Sequence, residues 1–134
     1  PKLYFQDTGL ACSLLGIRKA QEMAVSHFKG ALVENYIISE CMKNNLNTQS
    51  GYSFYYWRDH KGVEVDLIRE RNQEISLIEI KSAQTYTRDF AKNIQKLQQL
   101  MTSPNAYILY DGEQEYKTSE NIHIQNWQTF LKEN

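Results

Sequence analysis

Apolar and polar positions along this chain follow two different periods. Two runs of β-branched and aliphatic residues, 63–68 and 75–80, flank the polar cluster 69–74, which is the pattern of a β-hairpin. Just upstream, Tyr52, Phe54 and Tyr56 alternate with Ser53, Tyr55 and Trp57, predicting a strand over 52–57 and a turn at 59–62. Elsewhere the period is helical. Over 29–45, Val33, Ile37 and Cys41 recur at steps of four, and Ile38 and Met42 widen the stripe. Phe90, Ile94, Leu97 and Met101 predict a second helix, closed by Pro104. Residues 105–110 read as a buried strand, and Asp111-Gly112 as a turn.

The flanks add smaller pieces. Residues 2–5 are extended, and Asp7 with Thr8 caps a helix through Leu10, Leu14 and Leu15 that Gly16 ends. That helix is read as packing or as the junction to an upstream module. Residues 44–51 form a polar loop, residues 122–124 a short last strand, and Trp127, Phe130 and Leu131 a closing helix. The order is helix, three-strand meander, helix, strand. A helix between the third and fourth strands makes that pair parallel through a right-handed crossover. The fold class is therefore α/β, a mixed sheet covered by helices.

Charge changes the picture at the hairpin. With Asn72 and Gln73 as a two-residue turn, Arg71 faces Glu74, Asp66 faces Glu79 and Glu64 faces Lys81. Facing β-carbons stand roughly 4.5–5.5 Å apart, so Asp66 and Glu79 repel unless something cationic lies between them. Residues two apart on a strand share a face, which groups Asp66, Glu79 and Lys81. Val63, Val65 and Leu67 with Ser76, Ile78 and Ile80 supply the opposite, core-facing side. Two readings stay open for the charged side. It is a solvated ion-pair ladder of small energetic value, or, because Ile68, Ile75 and Leu77 share it, a half-covered carboxylate pair suited to a metal. Carboxylate oxygens suit magnesium or manganese.

Asp66, followed by Glu79-Ile80-Lys81 on the neighbouring strand, resembles the D…E-x-K core of the PD-(D/E)XK nuclease superfamily. Five stretches extend the likeness: K-L-Y-F-Q-D-T-G-L (2–10), G-A-L-V-E-N-Y-I-I-S-E (30–40), Y-Y-W-R (55–58), V-E-V-D (63–66) and I-E-I-K-S (78–82). In that order the chain resembles the C-terminal domain of unknown function attached to prokaryotic AAA+-type ATPases. The resemblance implies a three-layer α/β/α restriction-endonuclease-like core. It also implies a magnesium-dependent nuclease acting on phosphodiester bonds, with nucleic acid as partner, DNA ahead of RNA. By the same resemblance Asp66, Glu79 and the Ile80 carbonyl hold magnesium or manganese. Glu34, on the helix before the sheet, reads from its position alone as a boundary glutamate paired with a lysine; by the resemblance it orients water or helps hold a second ion. Lys81 positions or deprotonates the attacking water, tuned by Glu64. The catalytic set is thus Glu34, Asp66, Glu79 and Lys81. A non-enzymatic reading stands beside this one: a recognition or assembly module of the ATPase that kept the nuclease fold, since fold does not establish function.

Composition narrows the setting. With 134 residues and 41% hydrophobic content, residues 1–134 make one domain with one core. The chain starts at Pro1 without a methionine, and a C-terminal piece of a longer ATPase-containing protein is expected. A net charge of −1 advertises no global attraction to nucleic acid, so a nuclease here relies on a local patch. Lys92 and Lys96 on the second helix are either a solvated face or the flank of a phosphate path. The aromatic strand can stack on unpaired bases, although sheet packing is the commoner use. Cys12 and Cys41, without C-x-x-C spacing, read as core thiols of a cytoplasmic protein. His27 is isolated, and no apolar run spans a membrane. There is no G-x-x-x-x-G-K-[ST], H-E-x-x-H or G-x-S-x-G, so any ATPase activity lies outside this chain.

Overall fold

The computed structural model describes residues 2–133. Its centre is a six-stranded mixed sheet built from β1 (Ser53–Arg58), β2 (Glu64–Arg71), β3 (Glu74–Ile80), β4 (Asn105–Tyr110), β5 (Tyr116–Lys117) and β6 (Ile122–Asn126), in the spatial order β1-β2-β3-β4-β6-β5. The meander β1-β2-β3 is antiparallel, whereas β4 joins β3 in parallel and β6 joins β4 in parallel. The crossover between β3 and β4 carries a 3₁₀ turn (Arg88–Ala91) and α4 (Lys92–Gln98), as the periodicity predicts. α4 stops short of Met101, however, because Gln99 to Ser103 leave the helix and Ser103 takes a left-handed φ of 49°.

Helices cover both faces. On one side Ile94 and Leu97 of α4 pack on Val65, Leu77, Ala106, Ile108, Ile122 and Ile124. On the other, Ile37, Ile38 and Cys41 of α3 (Lys29–Thr48) and Phe130 of α5 (Trp127–Glu133) pack on Leu67, Ile78, Ile80 and Leu109. α3 runs on through residues read as a loop, and ends where Gln49 turns left-handed. Met42 lies outside its buried stripe, at 45% exposure. Asp7 caps α1 (Thr8–Leu14), its carboxylate accepting the Leu10 amide at 3.2 Å. The leucines of α1 do not join the core: only Ala11 is buried there, and Leu10, Leu14 and Leu15 are exposed. A short α2 (Ala20–Ala24) follows, in a polar, mixed stretch for which the pattern predicts no element.

The hairpin has the predicted turn. Asn72 and Gln73 both have positive φ, 51° and 69°, the primed-turn geometry that matches strand twist. From Arg71↔Glu74 the ladder runs to Leu67↔Ile78 in the predicted register. Beyond it the prediction breaks. Against β1, Tyr55 pairs with Ile68 but Trp57 pairs with Val65, so Asp66 and Leu67 together oppose Tyr56. This β-bulge sends Val65 to the α4 face while Leu67 stays on the α3 face, instead of both lining one core-facing side. Neither face is solvated: Leu77 and Ile78 are fully buried.

Candidate functional site

The site forms where β2 and β3 stop pairing. Past Leu67↔Ile78 the amide of Ile80 donates to Asp66 Oδ2 at 2.8 Å. A side-chain carboxylate thus takes the place of a backbone carbonyl, and the bulge is what frees it to do so. Asp66 and Glu79, expected as a facing ladder pair, instead meet electrostatically at the open strand end. Both are buried, at 9% and 3% exposure, which rules out the solvated-ladder reading. Glu79 Oε1 accepts from Lys81 Nζ at 2.7 Å, the same-face pair that strand spacing predicts. Glu79 Oε2 is buried with no hydrogen-bond partner among the described residues.

Glu64 corrects another expectation. It pairs with Arg58 across the β1 ladder, and its carboxylate takes Lys2 at 2.8 Å instead of Lys81. The bulge accounts for this, since it turns β2 out of register with β3 before Glu64 is reached. Glu34, at the boundary of the buried stripe of α3, reaches the same cluster; it accepts from the Tyr4 hydroxyl at 3.0 Å and lies 2.6 Å from Lys2 Nζ.

Two cations serve the carboxylates: Lys81 on Glu79, and Lys2 on the side of Glu34 and Glu64. The Lys2 ammonium stands 2.6 Å from Glu34, 2.8 Å from Glu64 and 3.9 Å from Asp66, against the Tyr56 ring at 4.9 Å. The strap that delivers it has no helix or strand. It is latched at Phe5, whose amide donates to Asn35 Oδ1 at 2.7 Å and whose carbonyl accepts from Asn35 Nδ2 and Ser39 Oγ, both at 2.9 Å. Lys2, Tyr4, Asn35 and Ser39 escape a reading by periodicity. Asn35 and Ser39 do leave one sign, a pair of polar residues one helical turn apart beside the apolar stripe of α3.

Electrostatics follow from burial. Desolvation, with Glu79 and Glu34 nearby, pushes the Asp66 carboxyl up to about 7, against the Ile80 amide and Lys81. Burial also raises Glu79, although Lys81 opposes it. Glu64 goes the other way: burial lifts it, but bonds from Lys2 and Tyr56 bring it below the usual carboxylate range. Burial pulls the Lys2 ammonium down, and the contacts with Glu34 and Glu64 more than offset this. Tyr4 is raised by burial and by Glu34. The result is a proton-retaining acidic pair beside a firmly charged ammonium.

The donor chemistry fits a hard divalent cation. Asp66, Glu79 and Glu34 offer carboxylate oxygens, Ile80 a backbone carbonyl, and Glu79 Oε2 is an unused acceptor. Among the described residues no three or more His, Cys, Asp or Glu side chains are gathered as a ready cage for a metal; Lys2 occupies the side of Glu34 and Glu64, and Lys81 that of Glu79.

The other candidates fall outside it. Lys92 pairs with Asp89 at 2.7 Å, both side chains exposed. Phe54 and Trp57 pack against the core, Tyr56 faces Lys2, and Tyr55 is half exposed. His27 makes an edge contact with Phe28. Both cysteines are free thiols; burial pushes Cys41 up to about 11, whereas Cys12 is only half-buried, which corrects its reading as a core thiol. No helix among the described residues is long and apolar enough to cross a membrane.

Comparison with known proteins gives relatives without an assigned activity. The chain is 26% identical over 122 residues to the uncharacterized protein Rv2008c of Mycobacterium tuberculosis and, equally, to the uncharacterized protein Mb2031c of Mycobacterium bovis. Each alignment covers 91% of this chain but 26% of the relative, so the chain spans about a quarter of the length of the curated relatives it matches. No solved structure matches. The family described as Domain of unknown function (DUF4143) matches residues 29–130, taking in α3, the whole sheet and the acidic cluster apart from Lys2 and Tyr4, and the chain belongs to that family.

Proposed function

We propose that this chain is a nuclease domain of the PD-(D/E)XK type, with a restriction-endonuclease-like core, that hydrolyses phosphodiester bonds in nucleic acid, DNA ahead of RNA, with magnesium or manganese. The observation that carries the reading is the buried pair Asp66 and Glu79 at the open end of the hairpin, with Lys81 bonded to Glu79 at 2.7 Å and Glu79 Oε2 unpaired. Burying two acids side by side is costly, and such costs concentrate at functional sites. The antiparallel meander followed by parallel β4 and β6, with helices on both faces, supports the core assignment.

Asp66, Glu79, the Ile80 carbonyl and Glu34 are the residues that would hold the ion. When bound, such an ion polarises a phosphoryl oxygen and acidifies water. Lys81, one-third exposed, holds its ammonium where it can stabilise negative charge growing on a phosphate and position an attacking water. Glu34, with Tyr4 bonded to it, orients that water. We further propose that the domain belongs to an AAA+-type ATPase, which the remaining three-quarters of the relatives' length has room to contain.

The seating of Lys2 and Lys81 on these carboxylates favours a second reading, a nuclease-fold module without catalysis. One assay separates them: cleavage of single- and double-stranded DNA and RNA with magnesium or manganese, by wild type, Asp66→Ala and Lys81→Ala. Metal-dependent cleavage lost in both variants supports the nuclease; cleavage that survives both substitutions overturns this assignment, and none by the wild type favours the module.

A further inference from the structure

Lys2 is more than a surface ion pair. Its ammonium touches carboxylates from two separate elements, Glu34 on α3 and Glu64 on β2, and approaches Asp66 on the same oxygen-lined face that a divalent cation would use. A divalent cation seated on Glu34 and Asp66 would stand directly against that ammonium and repel it. The strap is also built to release it. Phe5 is fixed to Asn35 and Ser39 by three hydrogen bonds and Tyr4 is held on Glu34 and against the core, while Leu3, next to the lysine, is 93% exposed. Lys2 can therefore leave the cluster while the latch and the core stay in place.

We propose that Lys2 is the resident cation of this cluster and that a divalent ion gains Asp66, Glu79 and Glu34 by displacing it, the end of the strap at residues 2 and 3 acting as an internal gate. This rests on the metal-site reading above. The buried, unpaired Glu79 Oε2 is the independent sign that the cluster is incomplete with Lys2 alone.

The test is manganese affinity, measured by calorimetry on the whole chain, for wild type, Lys2→Met, Lys2→Arg and Lys43→Met, with folding checked by circular dichroism. A gate closed nine-tenths of the time weakens apparent affinity about tenfold. Lys2→Met should therefore bind manganese about tenfold tighter than wild type, while Lys2→Arg, which keeps a cation on the strap, stays near wild type. Lys43→Met removes one positive charge from the exposed Glu40 pair and should change nothing. Equal affinity in wild type and Lys2→Met overturns the gate and leaves the metal site standing. Tightening by Lys43→Met as large as that by Lys2→Met also overturns it, since net charge would then explain the effect. Binding by none of the four proteins overturns both the gate and the metal site.

Discussion

The two ends of one hairpin behave in opposite ways. At the turn end β2 and β3 keep an unbroken ladder from Arg71↔Glu74 to Leu67↔Ile78, and a buried cation, Arg69, is held among rings, 4.9 Å from both Tyr52 and Phe130. At the open end a bulge breaks the register, a carboxylate replaces a backbone partner, and two half-buried carboxylates, with Asp66 close by, hold a lysine borrowed from a strap far away in sequence. The turn end is organised for pairing and packing. The open end keeps like charges close together, an arrangement that costs stability and is useful only if a cation or a reacting group makes use of it.

That contrast can be broken first in the core. Leu77, fully buried between the sheet and α4, anchors the paired half, and Leu77→Ala should cost about 3–4 kcal/mol in denaturant unfolding. A loss under about 1 kcal/mol would mean that the paired half is not the anchor. The open end should respond with the opposite sign. Asp66→Asn removes a charge that burial disfavours, keeps an acceptor for the Ile80 amide, and should stabilise the domain at pH 8 by about 1–3 kcal/mol.

The pH dependence sharpens the same point. The Asp66 carboxyl titrates near 7 in the folded chain against an ordinary value of 3.8, so between those values the native state holds more protons than the unfolded state. Stability contributed by the protonated carboxyl is full below about pH 4 and is lost as pH rises towards 7. Thermal melts across that range should show this fall in the wild type and a flatter profile in Asp66→Asn. The smallest effect belongs to the turn, where Gln73 holds a φ of 69°. Gln73→Gly relieves that conformation and should add about 0.5–1 kcal/mol, without altering manganese affinity.

Much of this was legible in the sequence, for reasons specific to each element. The 72–73 turn and the Arg71↔Glu74 register followed from where two apolar runs break, and β4 and its parallel pairing from a helix-length crossover. Glu34, Asp66, Glu79 and Lys81 could be named from pattern and resemblance, and the structure puts Glu34, Asp66 and Glu79 within electrostatic reach of one another and Lys81 on Glu79. The bulge was not legible, because Val65, Asp66 and Leu67 read as uninterrupted strand and only the partner strand reveals the extra residue. Its consequences, Val65 on the α4 face and Glu64 on Lys2, were hidden with it. Lys2 was out of reach for a different reason: it meets Glu64 across 62 residues, and no local period carries such a contact. The Asn-rich end of α3 looked like a loop because Asn and Thr are poor helix formers, yet the helix runs on to Thr48, with the Asn45 side chain bonded to both backbone groups of Tyr52 and the Thr48 hydroxyl to the Asn44 carbonyl. Two-residue β5 is too short to leave a pattern.

The most direct measurement is calorimetric titration of manganese into the wild-type chain and into Asp66→Asn at pH 8. Saturable one-site binding to the wild type and no binding to Asp66→Asn is the expected result. Equal binding by both proteins, or none by the wild type, would contradict a cation site at the open end of the hairpin.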